Sequence, residues 1–186
     1  MRTYQHFSSN KLINIDLTLE GTLVISFEND YLEGAHEKVL NRLVETNRIQ
    51  AAGYGFDDFS AQAADKIRQR IDCPDATIRF LVGGTQTNQV VINSMLDSYE
   101  GVISADTGHV AVHEGGAIEF SGHKVLTIPS QEGKITAQDV ENYIETFESD
   151  FKKEHMVYQW RVYISHQTEY ATLYTKQELQ SLTRLS

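Results

Sequence analysis

The chain has 186 residues, of which 40% are hydrophobic and 23% are charged, enough for one ordinary globular domain or a large part of a bigger one. Its formal net charge of -10 argues against a nucleic-acid partner, because phosphate backbones are bound by clustered Lys and Arg. The single cysteine, Cys73, and the absence of a long apolar run favour a cytoplasmic protein with neither an internal disulfide nor a membrane span.

The predicted elements begin after an N-terminal arm or extension of residues 1–25, in which only Leu12 to Leu17 alternates weakly like a strand. From about Gly34 onward, amphipathic segments alternate with short β-branched runs, which is typical of an α/β domain with a mostly parallel sheet flanked by helices. Residues 26–186 are therefore expected to form one domain. Helices are predicted over 35–48, 59–71, 86–98, 136–153 and 175–185, and strands over 77–82, 101–105, 124–128 and 161–165.

A tyrosine flanked by two glycines, Gly53-Tyr54-Gly55, comes just before the second predicted helix. Two interpretations stay open at this point. The segment is either an exposed aromatic loop or the cap that precedes the helix at Phe59.

The turn Gly83-Gly84-Thr85 joins the first predicted strand to the third predicted helix. Backbone N–H groups at a helix start point outward and favour anions, and glycines let the backbone approach a phosphate closely. The turn lacks the GxxxxGK[ST] spacing of a Walker A loop. The alternative is a tight strand-to-helix turn with Thr85 as its N-cap.

Gly108-His109 follows directly on the predicted strand 101–105. The carboxyl ends of parallel strands meet at one edge of a sheet, so His109 is expected beside the Gly84-Thr85 turn, where its flat ring could stack on an aromatic cofactor. His109 and His113 have the i, i+4 spacing of a metal pair, but Glu114 is misplaced for an HExxH motif and no third ligand is evident. No metal site is therefore predicted, and a structural role for His109 stays open.

The last predicted strand runs into polar residues, of which Thr168 and Glu169 are placed to reach the same crevice. The alternative is an ordinary turn before the final helix.

Taken in order, these motifs resemble the low-specificity threonine aldolases, a branch of the β-eliminating lyase group of pyridoxal-phosphate (PLP) enzymes of fold type I. The motifs are FENDYLEGAH at 27–36, GYG around Tyr54, GGTQTN at 83–88, ADTGH at 105–109 and SHQTEYATLY at 165–174. The resemblance runs from about Ser26 to the end of the chain. It implies an incomplete PLP-dependent transferase-like large domain, cut before the Schiff-base lysine.

The resemblance also implies roles for particular residues in holding PLP. The family's phosphate-binding turn corresponds to Gly84 and Thr85. The histidine that stacks on the pyridine ring corresponds to His109, and Thr168 corresponds to a polar residue near the cofactor.

A second set of residues matches segments that bind a small amino-acid substrate in this family and reach between subunits of its dimers. They are Asn29, Asp30 and Tyr54. The resemblance therefore implies a homo-oligomer, a dimer or a tetramer.

Two departures from the family pattern bear on these expectations. Gln167 stands where close members have proline and Ala171 where they have glycine, which would loosen or strain that turn.

The family's lysine that forms the Schiff base is expected beyond Ser186. The parent enzyme is expected to cleave β-hydroxy-α-amino acids to glycine and an aldehyde, whereas these residues alone are expected to be inactive, with weak or no PLP binding. The alternatives are a non-catalytic phosphate-binding or dimerisation remnant, or part of another fold-type I β-eliminating lyase.

Overall fold

The computed structural model describes residues 34–185, together with Asn29 and Leu32. The chain divides into two compact units, of which the first ends at Ala63 and the second begins at Ala64. The predicted arm of residues 1–25 lies outside the described residues, and the predicted domain bounds stay predictions. None of the helices in the described part of the chain is long and apolar enough to cross a membrane.

The first unit contains helix α1 (Glu37–Thr46) and the start of helix α2 (Asp58–Arg70). His36 caps α1, because its ring accepts a hydrogen bond from the backbone N–H of Lys38. The apolar stripe of α1 is more than half exposed and consists of Val39, Leu40, Leu43 and Val44. Both helices confirm the sequence prediction to within a few residues.

The second unit is built on a parallel three-stranded sheet in the order β2-β1-β3. The strands are β1 (Glu100–Ala105), β2 (Lys124–Ile128) and β3 (Tyr158–Val162). All six residues of the central strand β1 are buried, as expected for a parallel strand covered on both faces. The register of β1 against β3 shifts between Gly101 and Val102.

Helices cover both faces of this sheet. The elements are α3 (Gly84–Met95), α4 (His109–Val112), α5 (Ala117–Phe120), α6 (Ala137–Ser149), a short 3-10 turn (Lys153–His155) and α7 (Lys176–Thr183). Successive residues of β1 point to opposite faces, so Ile103 packs with α6 and α7 while Val102 packs with α3, α4 and α5. The predicted α/β architecture, a parallel sheet flanked by helices, is confirmed.

Two of the predicted strands need correction. Residues 77–82 form no strand, and Phe80, Leu81 and Val82 are 53%, 42% and 94% exposed. The apolar run is real, but a strand forms only where its backbone pairs with another strand, and no described strand pairs with this segment. The strand predicted over 161–165 runs instead from Tyr158 to Val162, so Tyr163, Ile164 and Ser165 lie beyond its carboxyl end.

An ion pair ties the loop before α6 to the start of α7. The ammonium of Lys134 lies 2.8 Å from Glu178 Oε1 and also donates to the carbonyl of Leu173. The hydrogen bond from Lys134, helped by the N–H and hydroxyl of Thr175, holds the pKa of Glu178 at about 2, below its usual 4.5.

This low pKa gives a pH-dependent contribution to stability, which Glu178→Gln should remove. A carboxylate whose pKa falls on folding stabilises the folded chain above pH 4.5, and the effect disappears as the pH falls through about 2. We expect the variant to be less stable than the wild type at pH 6 and equally stable near pH 2 in urea unfolding. Glu145→Gln, on the exposed surface of α6, should show no such convergence. A constant difference at all pH values would contradict this expectation.

Candidate active site

The loops that follow the three strands meet at the carboxyl edge of the sheet. Asp106, after β1, accepts hydrogen bonds from the backbone N–H and the hydroxyl of Ser130, after β2, at 3.1 and 2.7 Å. On the other side, the hydroxyl of Ser165, after β3, accepts from the backbone N–H of His109 at 3.4 Å. This edge therefore gathers chemically active side chains from separate parts of the sequence.

His109 lies between two carboxylates at the first position of α4. Its Nε2 is 3.7 Å from Glu114 Oε1, and its Nδ1 is 4.0 Å from Glu169 Oε1. The side chain is still 44% exposed. The imidazole thus lies close to two carboxyl groups and keeps part of its surface open to a ligand.

Glu114 is the buried member of this cluster, with a side chain that is 0% exposed. Its Oε1 accepts a hydrogen bond from the amide of Asn88 in α3 at 2.6 Å. Its Oε2 is buried without a hydrogen-bond partner in the part of the chain that the structure describes. Asn88, His109 and the phenol of Tyr163 are therefore groups that lie near this carboxyl group.

Two further side chains complete the surroundings of His109. The amide of Asn88 also lies 3.4 Å from the hydroxyl of Tyr163, and burial raises the pKa of Tyr163, so the phenol stays protonated at neutral pH. The hydroxyl of Ser165 donates to Glu169 Oε1 at 2.7 Å. The cluster therefore connects α3, α4 and the end of β3.

The turn before α3 is open to solvent. The helix begins at Gly84 with Gly83 as its N-cap, so the alternative that Thr85 is the N-cap is wrong. Gly83 makes no side-chain cap, and the first N–H groups of a helix have no partner within it. A Cβ built on Gly83 or Gly84 would meet no atom within 4 Å. Asn88 follows one helical turn later, so the helix that carries this turn also contacts the His109 cluster.

The other residues predicted to contact cofactor or substrate lie in different environments. Thr168 is 4% exposed, and its hydroxyl is engaged within its own loop by Thr172 and by the N–H of Tyr170. Tyr54 is fully exposed in a turn of the first unit, and Asn29 also belongs to that unit. Asp30 lies outside the described residues. The assignments of all four residues to cofactor or substrate stay predictions.

Sequence reasoning missed Asn88, Tyr163 and Ser165 as members of this cluster, and it considered Glu114 only as a misplaced metal-motif residue. The position of Asn88 one turn after Gly84 was an available signal, because the two residues share a helix. Glu114 lies 26 positions from Asn88 and gives no local pattern. Among the described residues, no group of three His, Cys, Asp or Glu side chains could hold a metal ion.

The loop that carries Thr168 contains a strained residue. Ala171 has a φ of 60°, in the left-handed region where a Cβ costs about 1–2 kcal/mol. The predicted strain at this alanine is thereby confirmed. The neighbouring bond between His166 and Gln167 is cis.

Replacing Ala171 with glycine is therefore expected to stabilise the chain by about 1 kcal/mol, measured by chemical denaturation. Ala61→Gly in α2 is the matched control, because Ala61 is exposed in regular helix and should lose about 1 kcal/mol. If both substitutions change the free energy of unfolding in the same direction, backbone strain at Ala171 does not explain the result.

Comparisons with known proteins show the family to which the chain belongs. Residues 34–159 match the model of the family described as beta-eliminating lyase. The chain is 30% and 28% identical, over 160 residues, to low specificity L-threonine aldolases of a Pseudomonas strain and of Pseudomonas aeruginosa. It also matches the structure of a Leishmania major threonine aldolase with a TM-score of 0.79 and 44% identity. Each match covers 84% of this chain and 44% of the other protein, so the chain spans less than half the length of these relatives.

Proposed function

Because the chain belongs to the β-eliminating lyase family, we propose that it forms the N-terminal, cofactor-binding part of a PLP-dependent amino acid lyase of the threonine aldolase type. Its mostly parallel sheet flanked by helices is part of a fold-type I large domain. The reaction of the whole enzyme would be retro-aldol cleavage of a β-hydroxy-α-amino acid to glycine and an aldehyde.

The setting of His109 carries this proposal. A ring flanked at both nitrogens by Glu114 and Glu169, and 44% exposed, suits stacking on a flat aromatic cofactor better than it suits a packing role. Histidines in packing roles are usually enclosed, as His123 is in this chain at 4% exposure.

The residues present also fit the phosphate of PLP. The open turn at Gly83 and Gly84 leaves room for a phosphate, and the first N–H groups of α3 are free to donate to it. Thr85, in the first turn of the helix, supplies a hydroxyl one residue after Gly84. This phosphate contact requires no basic side chain, because the N-terminus of the helix itself favours an anion.

In this arrangement the chain's own residues would bind the phosphate of PLP and orient its pyridine ring. The N-terminus of α3 would anchor the phosphate, and His109 would fix the plane of the pyridine ring. When bound, PLP supplies the electron sink that makes carbon–carbon cleavage next to an amine feasible. The phenol of Tyr163 and the amide of Asn88 keep the neighbourhood of His109 polar and hydrogen-bonded.

We further propose that these 186 residues alone bind PLP weakly and do not turn over threonine. Several lysines do not sit in the family's Schiff-base motif, namely Lys124, Lys134, Lys152 and Lys176. Lys134 is also held in an ion pair with Glu178. Without a covalent link, the affinity for PLP depends on the phosphate and stacking contacts.

We also propose that the protein assembles as a homo-oligomer in the cytoplasm.

Binding is tested by titrating the chain with PLP, pyridoxal and inorganic phosphate, followed by intrinsic fluorescence. We expect PLP to bind more tightly than either pyridoxal or inorganic phosphate. His109→Ala should weaken PLP binding by about tenfold, the equivalent of about 1.4 kcal/mol. His155→Ala, at an exposed histidine after α6, should leave it unchanged. If PLP binds no tighter than inorganic phosphate, the site is not a PLP site.

The reaction is tested separately with the polypeptide at the length that its gene encodes. Threonine should give glycine and acetaldehyde in equal amounts. Release of ammonia from a β-substituted amino acid, without glycine formation, would indicate a different lyase of the same family. Borohydride reduction of the PLP-treated 186-residue chain should leave only scattered cofactor on surface lysines, and stoichiometric attachment to a single lysine would contradict the proposed inactivity.

A further inference from the structure

We propose that Glu114 is a positioning residue, which sets the plane of the His109 ring and couples that ring to the phosphate-binding helix α3. This inference rests on the proposed function, since it concerns how the same site holds PLP. It starts from a carboxylate that the sequence pattern assigned to no role.

The burial of Glu114 is the first observation. A carboxylate with a 0% exposed side chain loses its hydration, which is costly unless other groups compensate. The compensation here is partial: Oε1 receives the amide of Asn88 at 2.6 Å, while Oε2 has no hydrogen-bond partner among the described residues. A packing role would be served better by an apolar side chain. The cost therefore points to a task at the neighbouring ring.

The second observation is the placement of Glu114 relative to His109. Its Oε1 lies 3.7 Å from Nε2, while Glu169 Oε1 lies 4.0 Å from Nδ1. Glu169 is 17% exposed, and its Oε1 accepts a hydrogen bond from Ser165. The two carboxyl groups approach different nitrogens, so a rotation of the ring about its bond to Cβ would change both distances. Glu114 is the fully buried member of the pair.

The third observation is the link to α3. Asn88, which donates to Glu114, lies in the same helix as Gly84 and Thr85, one turn from the open phosphate turn. A displacement of α3 would therefore reach His109 through a single hydrogen bond and the 3.7 Å contact between Glu114 and the ring. Glu114 thus keeps the ring plane and the phosphate turn in register, so that one ligand can engage both.

The test uses Glu114→Gln, which keeps the volume of the side chain and an acceptor for Asn88 but removes the charge. The matched control is Glu119→Gln, at an exposed carboxylate in α5. Binding of PLP and of inorganic phosphate is measured for each variant, with the amide signals of Gly84 and Thr85 reporting on phosphate. The induced circular dichroism of bound PLP reports on the orientation of its ring.

We expect Glu114→Gln to weaken PLP binding by about tenfold and to reduce the induced circular dichroism, with phosphate binding unchanged. Asn88→Ala should act in the same direction, because it frees Glu114 from α3, and it provides the second variant if the first does not fold. Glu119→Gln should match the wild type in every measurement.

Each contrary outcome has a distinct meaning. If both Glu114→Gln and Asn88→Ala bind PLP like the wild type, the positioning role is wrong while the proposed function stands. If Glu114→Gln loses PLP and phosphate equally, Glu114 is a structural residue and the inference is also overturned. If the wild type itself prefers phosphate to PLP, the proposed function fails first.

Discussion

Replacing Ile118 with alanine is expected to lower the free energy of unfolding by about 3–4 kcal/mol. Ile118 is 0% exposed and lies in the four-residue helix α5, where it packs with residues of α3, α4 and the sheet. Its truncation removes apolar surface and leaves a cavity that a close-packed interior cannot fill. The loss should appear as a lower midpoint in urea unfolding with an unchanged slope.

The same short helix supplies the control for this prediction. Phe120 is a larger apolar residue two positions later, but it is 87% exposed. Phe120→Ala should change the free energy of unfolding by no more than about 0.5 kcal/mol. Comparable losses in the two variants would mean that α5 does not pack on the sheet as described.

The second large effect is expected from Gly108→Ala, which should cost about 2 kcal/mol and displace His109. The backbone at Gly108 has a φ of -64°, which any residue adopts, so the reason is steric alone. A Cβ at this position would lie 2.3 Å from the hydroxyl oxygen of Ser104 and 3.1 Å from the carbonyl oxygen of Ala105. Ser104 is fully buried in β1, so relief requires the start of α4 to move.

A double variant separates this steric conflict from other causes. The Ser104 hydroxyl is buried without a hydrogen-bond partner among the described residues, so Ser104→Ala alone should be close to neutral. Combined with Gly108→Ala, it should recover most of the lost stability and the lost PLP binding. Gly53→Ala is the control for a glycine in open space, since a Cβ there meets nothing within 4 Å. Additive losses in the double variant would contradict the steric explanation.

Only part of this fold can be predicted from local sequence. The long helices and the strands at 101–105 and 124–128 were predictable because their periodicity extends over several residues. Ile118 was not assigned to an element, since four residues in α5 complete barely one helical turn. Residues 77–82 have a strand-like composition, but a strand also needs an edge to pair with, and composition does not contain that information.

The candidate site shows the same division. His109 was correctly predicted at the carboxyl edge of the sheet, because it follows the buried strand β1. The same reasoning fails for Gly84, since residues 77–82 form no strand, and its helix is connected to His109 through Asn88 and Glu114 instead. The contact of Glu114 with Asn88 joins residues 26 positions apart and depends on how α3 packs against the loop after α4. Neither residue type nor spacing encodes that contact. The expectation at Ala171 came from the glycine that close family members carry there, and the positive φ of this residue explains why glycine suits the position.

The placement of β1 in the middle of the sheet has a consequence for biosynthesis. Gly101 pairs with Lys124 on one side and with Gln159 on the other, so the first pairing closes a much shorter loop than the second. On the ribosome, β2 is complete about 30 residues before β3 begins, roughly two to six seconds at ordinary elongation rates. During that interval the nascent chain presents one open edge of its most buried strand, which is exposed to pairing with other chains until β3 is made.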